Sequence, residues 1–167
     1  MEQKTVIKLE GVDIFQGDSL VLKEVNYELK TGEFNYLIGE TGSGKSSLLR
    51  ALYADIPINK GHAKVTDVAL PGIKDKEIPF LRRKLGIVFQ DFQLLFDRNV
   101  EENLIFIMKA TGWKDKIKMK EKVTELLSKT GLKNKEYKMP YQLSGGEQQR
   151  LGIARALVND PLLILAD

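Results

Sequence analysis

The stretch "GETGSGKS", Gly39 to Ser46, constrains this chain more than any other. It matches the pattern G-x-x-x-x-G-K-[ST], in which glycines let the backbone curl until successive N–H groups point inward and the following helix adds the positive end of its dipole. The apolar run "FNYLI" before it predicts a strand, and "SSLLRALYA" after it predicts a helix with Leu48, Leu49 and Leu52 on one side. Strand, glycine-rich loop and helix in that order make an anion cradle at the carboxyl end of a sheet strand. Gly39, Glu40, Thr41, Gly42, Ser43 and Gly44, with Lys45, Ser46 and Ser47, are therefore the candidate nucleotide-phosphate residues. Lys45 would bring a mobile charge to the β- and γ-phosphates, and the Ser46 hydroxyl is placed to ligate Mg2+. The alternative, an accidental Gly/Ser-rich turn at a helix start, does not explain the strand and helix on either side.

Elsewhere the periodicity changes in an informative order. "VIKLEGVDIF" and "LVLKEVNYEL", separated by "QGDS", predict an antiparallel hairpin at the front of the chain. "LGIVF" predicts a further buried strand, and three helical stretches follow between residues 100 and 158. In the second of these, Met119, Val123, Leu126 and Leu127 fall on one helical face. The closing "PLLILAD" predicts a strand buried on both faces, with Asp167 at its carboxyl end, where ligands bind in open α/β sheets. The fold class is α/β, a parallel sheet preceded by a small antiparallel element and interrupted by a helical insertion.

The chain has 167 residues, enough for one domain with a real core. No apolar run is long enough to span a membrane, and the opening "MEQKTVIKLE" is too charged for a secretory signal, so a cytosolic location is expected. The absence of cysteine excludes disulfides and thiolate metal sites. The net charge of +3 is local: residues 109–138 hold ten Lys against four acids, leaving −3 for the rest. A solvated helix face accounts for that run more simply than a patch for anionic lipid or nucleic acid, because its aromatics, Trp113 and Tyr137, only bracket it.

A second motif, "LSGGEQQR" at Leu143 to Arg150, narrows the phosphate loop to one kind of protein. Locally, Ser144 and Glu147 form a capping box. That does not explain two consecutive glycines, each costing roughly half to one kcal/mol in a helix, unless something must approach the backbone closely. Together with the phosphate loop, the spacing and the last strand, this string resembles the signature sequence of ATP-binding cassette (ABC) ATPases, and the resemblance covers essentially the whole chain.

The resemblance implies a P-loop NTPase fold with an ABC-type ATPase core, an N-terminal antiparallel β subdomain (1–30), a phosphate-loop core (31–89), a helical signature subdomain (90–158) and a Walker B strand (159–167). It implies ATP and Mg2+ as ligands, with Lys45, Gln90 and Asp167 in catalytic roles and Ser46, Gln90 and Asp167 toward the metal. It implies a head-to-tail homodimer in which Ser144, Gly145, Gly146 and Glu147 of one subunit meet the ATP held by the other, and it aligns Phe15 with an aromatic that stacks on adenine. The family's next residue is a glutamate that polarises water, so a chain ending at Asp167 reads as an incomplete gene product or fragment, expected to bind Mg-ATP without appreciable turnover. Within the family, "DFQLLFDRNVEENL" resembles the bacterial cell-division branch, with lipoprotein-release ATPases next. That implies an integral membrane partner, indirect membrane contact at the inner face of the cell membrane, and no nucleic acid. Asn99 and Glu102 predict a helix cap, after which "LIFIM" either packs inside or supplies Ile105 and Ile107 to that partner. Two other readings stand open, another transporter motor and a non-hydrolysing nucleotide-binding module.

Overall fold

The computed structural model describes residues 4–167, which fall into two compact units divided between Lys84 and Leu85. In the first, β1 (Thr5–Gln16) and β2 (Ser19–Lys30) form the expected antiparallel hairpin around a two-residue turn in which Gly17 adopts φ +60°. Alternation along β1 puts Ile7, Leu9, Val12 and Ile14 in the core. Irregular register between Leu9 and Val12 is held by side chains: the Gly11 amide donates to Asn26 Oδ1 (2.9 Å) and the Glu24 amide to Asp13 Oδ1 (2.7 Å). Helix α1 (Lys45–Leu52) follows the glycine-rich loop and buries Ser47, Ala51 and Leu52, whereas Leu48 and Leu49 are only half-buried. Two further strands, β3 (Lys60–Val65) and β4 (Val68–Ala69), complete a sheet of order β2-β1-β3-β4, and α2 (Ile78–Arg83) closes the unit.

The expected strand "FNYLI" is not formed. Residues 34–38 pair with no ladder among the described residues, and Phe34, Tyr36 and Ile38 are 78%, 82% and 87% exposed. The segment is extended, with Phe34 and Tyr36 meeting edge to face at 5.0 Å as i and i+2 neighbours do. Apolar composition sets strand propensity but not pairing, and a strand exists only where another offers its backbone.

Asp13 is 4% exposed and holds the hairpin to β3 through Lys60 Nζ at 2.6 Å. The Lys60 ammonium and the Glu24 amide keep its carboxyl below the usual carboxylate range. A folded-state value below the unfolded one means that the ionised form favours folding. This contribution is complete above about pH 4 and is lost as pH falls through the folded value. Acid titrations followed by circular dichroism should therefore show a shallower loss of stability below about pH 4 in Asp13→Asn than in the parent, at the cost of lower stability at neutral pH.

The second unit starts with β5 (Leu85–Val88), continues through α3 (Val100–Ala110), α4 (Lys116–Lys129) and α5 (Gly145–Ala156), and ends with β6 (Leu163–Ala166). β5 and β6 pair in parallel, Val88 opposite Ala166. β6 alternates, burying Leu163 and Leu165 but leaving Ile164 53% exposed, so within this unit it is covered on one face rather than both. The helices meet over Leu104, Met108, Met119, Val123, Leu126, Leu127, Leu151 and Val158, and the four apolar positions expected along α4 are all buried there. Half of the ten lysines of the basic run lie on α4, where Lys116, Lys118, Lys120 and Lys129 are exposed and Lys122 is buried and bonds Asp160 at 2.7 Å.

Candidate functional site

In the first unit the loop 39–44 curls as its glycines require, with Gly42 at φ +82° and Gly44 at φ +94°. A β-carbon on Gly44 would also stand 2.9 Å from Val21 Cγ1, so the loop lies directly on β2. Lys45 crosses the loop, its ammonium donating to the carbonyls of Gly39 (2.8 Å) and Glu40 (2.7 Å). The N-cap of α1 is Gly44, which has no side chain to close the helix start, and no acid lies in its first turn. This distinguishes it from the longer helices α3, α4 and α5, capped by Asn99, Asp115 and Ser144. A helix start with a glycine N-cap, preceded by a curled glycine loop and opened by a lysine, has the chemistry of a phosphate cradle. Phe15, 37% exposed near the tip of the hairpin and opposite Leu20, presents a partly open aromatic face.

In the second unit the parallel pair β5–β6 brings two expected residues to the same end of the pair. Gln90 lies two residues beyond β5, and the Asp167 amide donates to Val88 O at 3.1 Å at the matching end of β6. Both are exposed at the carboxyl ends of the strands. Their amide and carboxylate offer oxygen donors, the hard ligands suited to Mg2+ and poorly suited to a soft metal; in the first unit the Ser46 hydroxyl is by chemistry an oxygen donor of the same kind.

The signature residues open α5. Its capping box is complete: Ser144 N donates to Glu147 Oε2 (2.8 Å) and Glu147 N to Ser144 Oγ (3.4 Å), while Glu147 Oε1 accepts from Lys135. Gly145 and Gly146 are exposed, and a β-carbon on Gly145 would meet nothing within 4 Å. The chain's own packing does not demand these glycines. They leave an accessible helix start to which a ligand's backbone contacts could be made.

Two residues of this unit escape sequence reasoning. Asn103, fully buried on α3, accepts from the Leu95 amide (2.9 Å) and donates to the carbonyls of Leu95, Arg98 and Asn99, shaping the segment before that helix. Arg155 on α5 reaches the carbonyls of Phe92 and Gln93 just beyond Gln90. Only an unusual buried amide at an otherwise apolar helical position could have signalled the first. The second carries no local signal. Of the two isoleucines expected as a partner surface, Ile105 and Ile107, both pack partly buried against the helical core, while Phe106 between them is 38% exposed and Phe96 is 56% exposed.

A profile of the ABC transporter family matches residues 22–167. The chain is 40% identical over 167 residues to the cell division ATP-binding protein FtsE of Streptococcus pneumoniae serotype 2, spanning all of this chain and 70% of that protein. It is 42% identical over 146 residues to FtsE of Bacillus subtilis, 87% of this chain and 64% of that one. The methionine import ATP-binding protein MetN of Helicobacter pylori J99 is 41% identical over 163 residues, 97% of this chain and 50% of MetN. Among solved structures, a dimeric ATP-binding cassette in a post-hydrolysis state, bound to ADP and Pi, superposes with a TM-score of 0.85 at 33% identity, over 96% of this chain and 73% of that one. This chain belongs to the ABC transporter family of ATP-binding cassettes and is, by family, an ABC-type ATPase with a mixed α/β fold.

Proposed function

We propose that this chain binds Mg-ATP and serves as the ATPase of an FtsEX-type membrane complex in bacterial cell division. The observation that carries the nucleotide half of this reading is Lys45 lying across the curled glycine loop at the glycine-capped start of α1. Identity of 40% to FtsE over the whole chain supports the cell-division half. In this reading the loop from Gly39 to Ser47 holds the phosphates, Phe15 stacks on the base, and Ser46, Gln90 and Asp167 take the metal-ligand roles. The metal, when bound, would neutralise charge between the β- and γ-phosphates. Ser144, Gly145, Gly146 and Glu147 serve a second copy of the chain, since the cassettes it resembles are dimeric. No helix among the described residues is long and apolar enough to cross a membrane, so we assign the chain to the cytoplasmic, inner face of the membrane, held there by an integral FtsX-type partner. The MetN relatives favour a second reading, the motor of an importer. Co-purification with candidate membrane subunits separates the two.

Phe96 and Phe106 are the apolar groups we assign to that partner, with the Arg98 guanidinium 4.4 Å from the Phe106 ring centre. Phe106→Asp should weaken co-purification of an FtsX-type subunit about tenfold or more with the melting temperature nearly unchanged, since the new charge is buried only in the complex. Ile105→Asp should instead lower the melting temperature, because its side chain packs on the core. Retained complex with Phe106→Asp would move the contact elsewhere.

A further inference from the structure

The loop that follows Gln90 is held in an unfavourable shape, and the residue that holds it sits on the signature helix. Phe92 and Gln93 both adopt positive φ, +58° and +43°, a region that L side chains enter at a cost and that two consecutive non-glycine residues occupy only when their surroundings impose it. Short turns lock the pair from within, the Phe92 amide donating to Phe89 O (3.0 Å) and the Gln93 amide to Asp91 O (2.7 Å). From outside, Arg155 Nη1 donates to Gln93 O and, at 3.5 Å, to Phe92 O. One turn earlier on the same helix, Gly152 also packs on the loop, where a β-carbon would stand in ordinary contact with Phe92 Cβ at 3.6 Å.

No acid among the described residues pairs with Arg155. Among the described residues its Nε is buried with no acceptor, and burial pushes the guanidinium below its ordinary value. Arg155 is partly buried, and holding a half-buried cation opposite carbonyls alone contributes little to the helix that carries it. The contact makes sense as a device for the loop.

We infer that Arg155 is a positioning residue: it clamps the left-handed Phe92–Gln93 pair to α5, so that the orientation of Gln90 and the placement of the helix that begins at Ser144 change together. This rests on the reading that Gln90 faces the terminal phosphate and its metal. A triphosphate engaging Gln90 would then bias the position of Gly145 and Gly146 through one guanidinium, and a second subunit's nucleotide at those glycines would bias Gln90 in return, because such coupling is reciprocal.

The test uses the full chain and its Arg155→Met, Arg155→Lys and Gln90→Ala variants, with affinities for Mg-ATP and Mg-ADP measured by calorimetry and amide exchange followed by mass spectrometry. Arg155→Met should speed exchange at residues 90–94 selectively, and should lower the preference for ATP over ADP about fivefold to tenfold, to the same extent as Gln90→Ala and without further loss in the double variant. Arg155→Lys should recover part of it. Adding Gln93→Gly to Arg155→Met should also restore the preference, since glycine holds a positive φ without a clamp. A preference that falls with Gln90→Ala but not with Arg155→Met overturns the inference alone. A preference untouched by Gln90→Ala overturns the reading of Gln90 and the inference with it. Loss of melting temperature in Arg155→Met with no selective exchange at residues 90–94 would make Arg155 an ordinary structural residue of α5 and would equally overturn it.

Discussion

Lys45→Ala is expected to weaken binding of a fluorescent ATP analogue by about 100-fold or more while leaving the melting temperature nearly unchanged. The first half follows from charge: the ammonium is the mobile cation of the loop, and each hydrogen bond to a charged phosphate oxygen contributes about 1.5–3 kcal/mol. The second half follows from local geometry. Lys45 begins α1 and its ammonium bonds only the loop, at the carbonyls of Gly39 and Glu40 and, at 3.5 Å, Ser43 Oγ, all of them water-accessible. Removing it strands no buried group, and alanine is a good helix former. Calorimetric or fluorescence titration beside a thermal melt checks both halves. Affinity unchanged in a folded variant would remove the phosphate loop from the reading, whereas loss of affinity together with folding would leave the role of the charge undecided until Lys45→Met is measured in the same way.

How much of this was legible depends on whether a feature is local. The phosphate loop and both capping boxes are local, because glycines that need positive φ, a side chain that reaches an amide three residues on, and a lysine after a glycine are properties of a few consecutive residues. Gly44, Asn99–Glu102 and Ser144–Glu147 accordingly stand where the sequence placed them. The hairpin and the α4 stripe were legible from periodicity, and so, in outline, was the parallel pairing that puts Asp167 beside the end of β5. "KGHAKV" was missed although it alternates, because its inward positions are Gly61, Ala63 and Val65, two of them too small to register as an apolar run. "FNYLI" failed in the opposite sense, having the composition of a strand and no backbone partner. Arg155 and Asn103 act over 62 and up to 8 residues of chain respectively, so their roles follow from tertiary packing that no spacing rule encodes.

The same reasoning makes Asn103 the residue whose loss should cost the fold most for its size. Its side chain is fully buried and makes four hydrogen bonds, all to the backbone of residues 95–99. In Asn103→Leu the volume is kept, but the Leu95 amide loses its acceptor and the carbonyls of Leu95, Arg98 and Asn99 lose the two N–H donors they share. An expected cost of about 3–5 kcal/mol follows, appearing as a fall of roughly 10 °C or more in Tm. Asn103→Asp separates lost hydrogen bonds from lost shape. A carboxylate can still accept from the Leu95 amide, but it would face the carbonyls of Leu95, Arg98 and Asn99 with no proton to give them. Burial and those carbonyls must raise its folded-state value above the unfolded one near 4, so its protonated form is the one that favours folding. Whatever stability the protonated form brings is present below that unfolded value and is lost as pH rises through the folded value. Asn103→Asp should therefore be about as unstable as Asn103→Leu at neutral pH and partly recovered near pH 4, whereas Asn103→Leu should show no such recovery. Thermal melts of the two variants across pH decide it. Because the segment 95–99 carries Phe96 and Arg98, both variants should also lose the partner contact assigned to that surface, whereas Phe106→Asp should lose it with the fold unchanged.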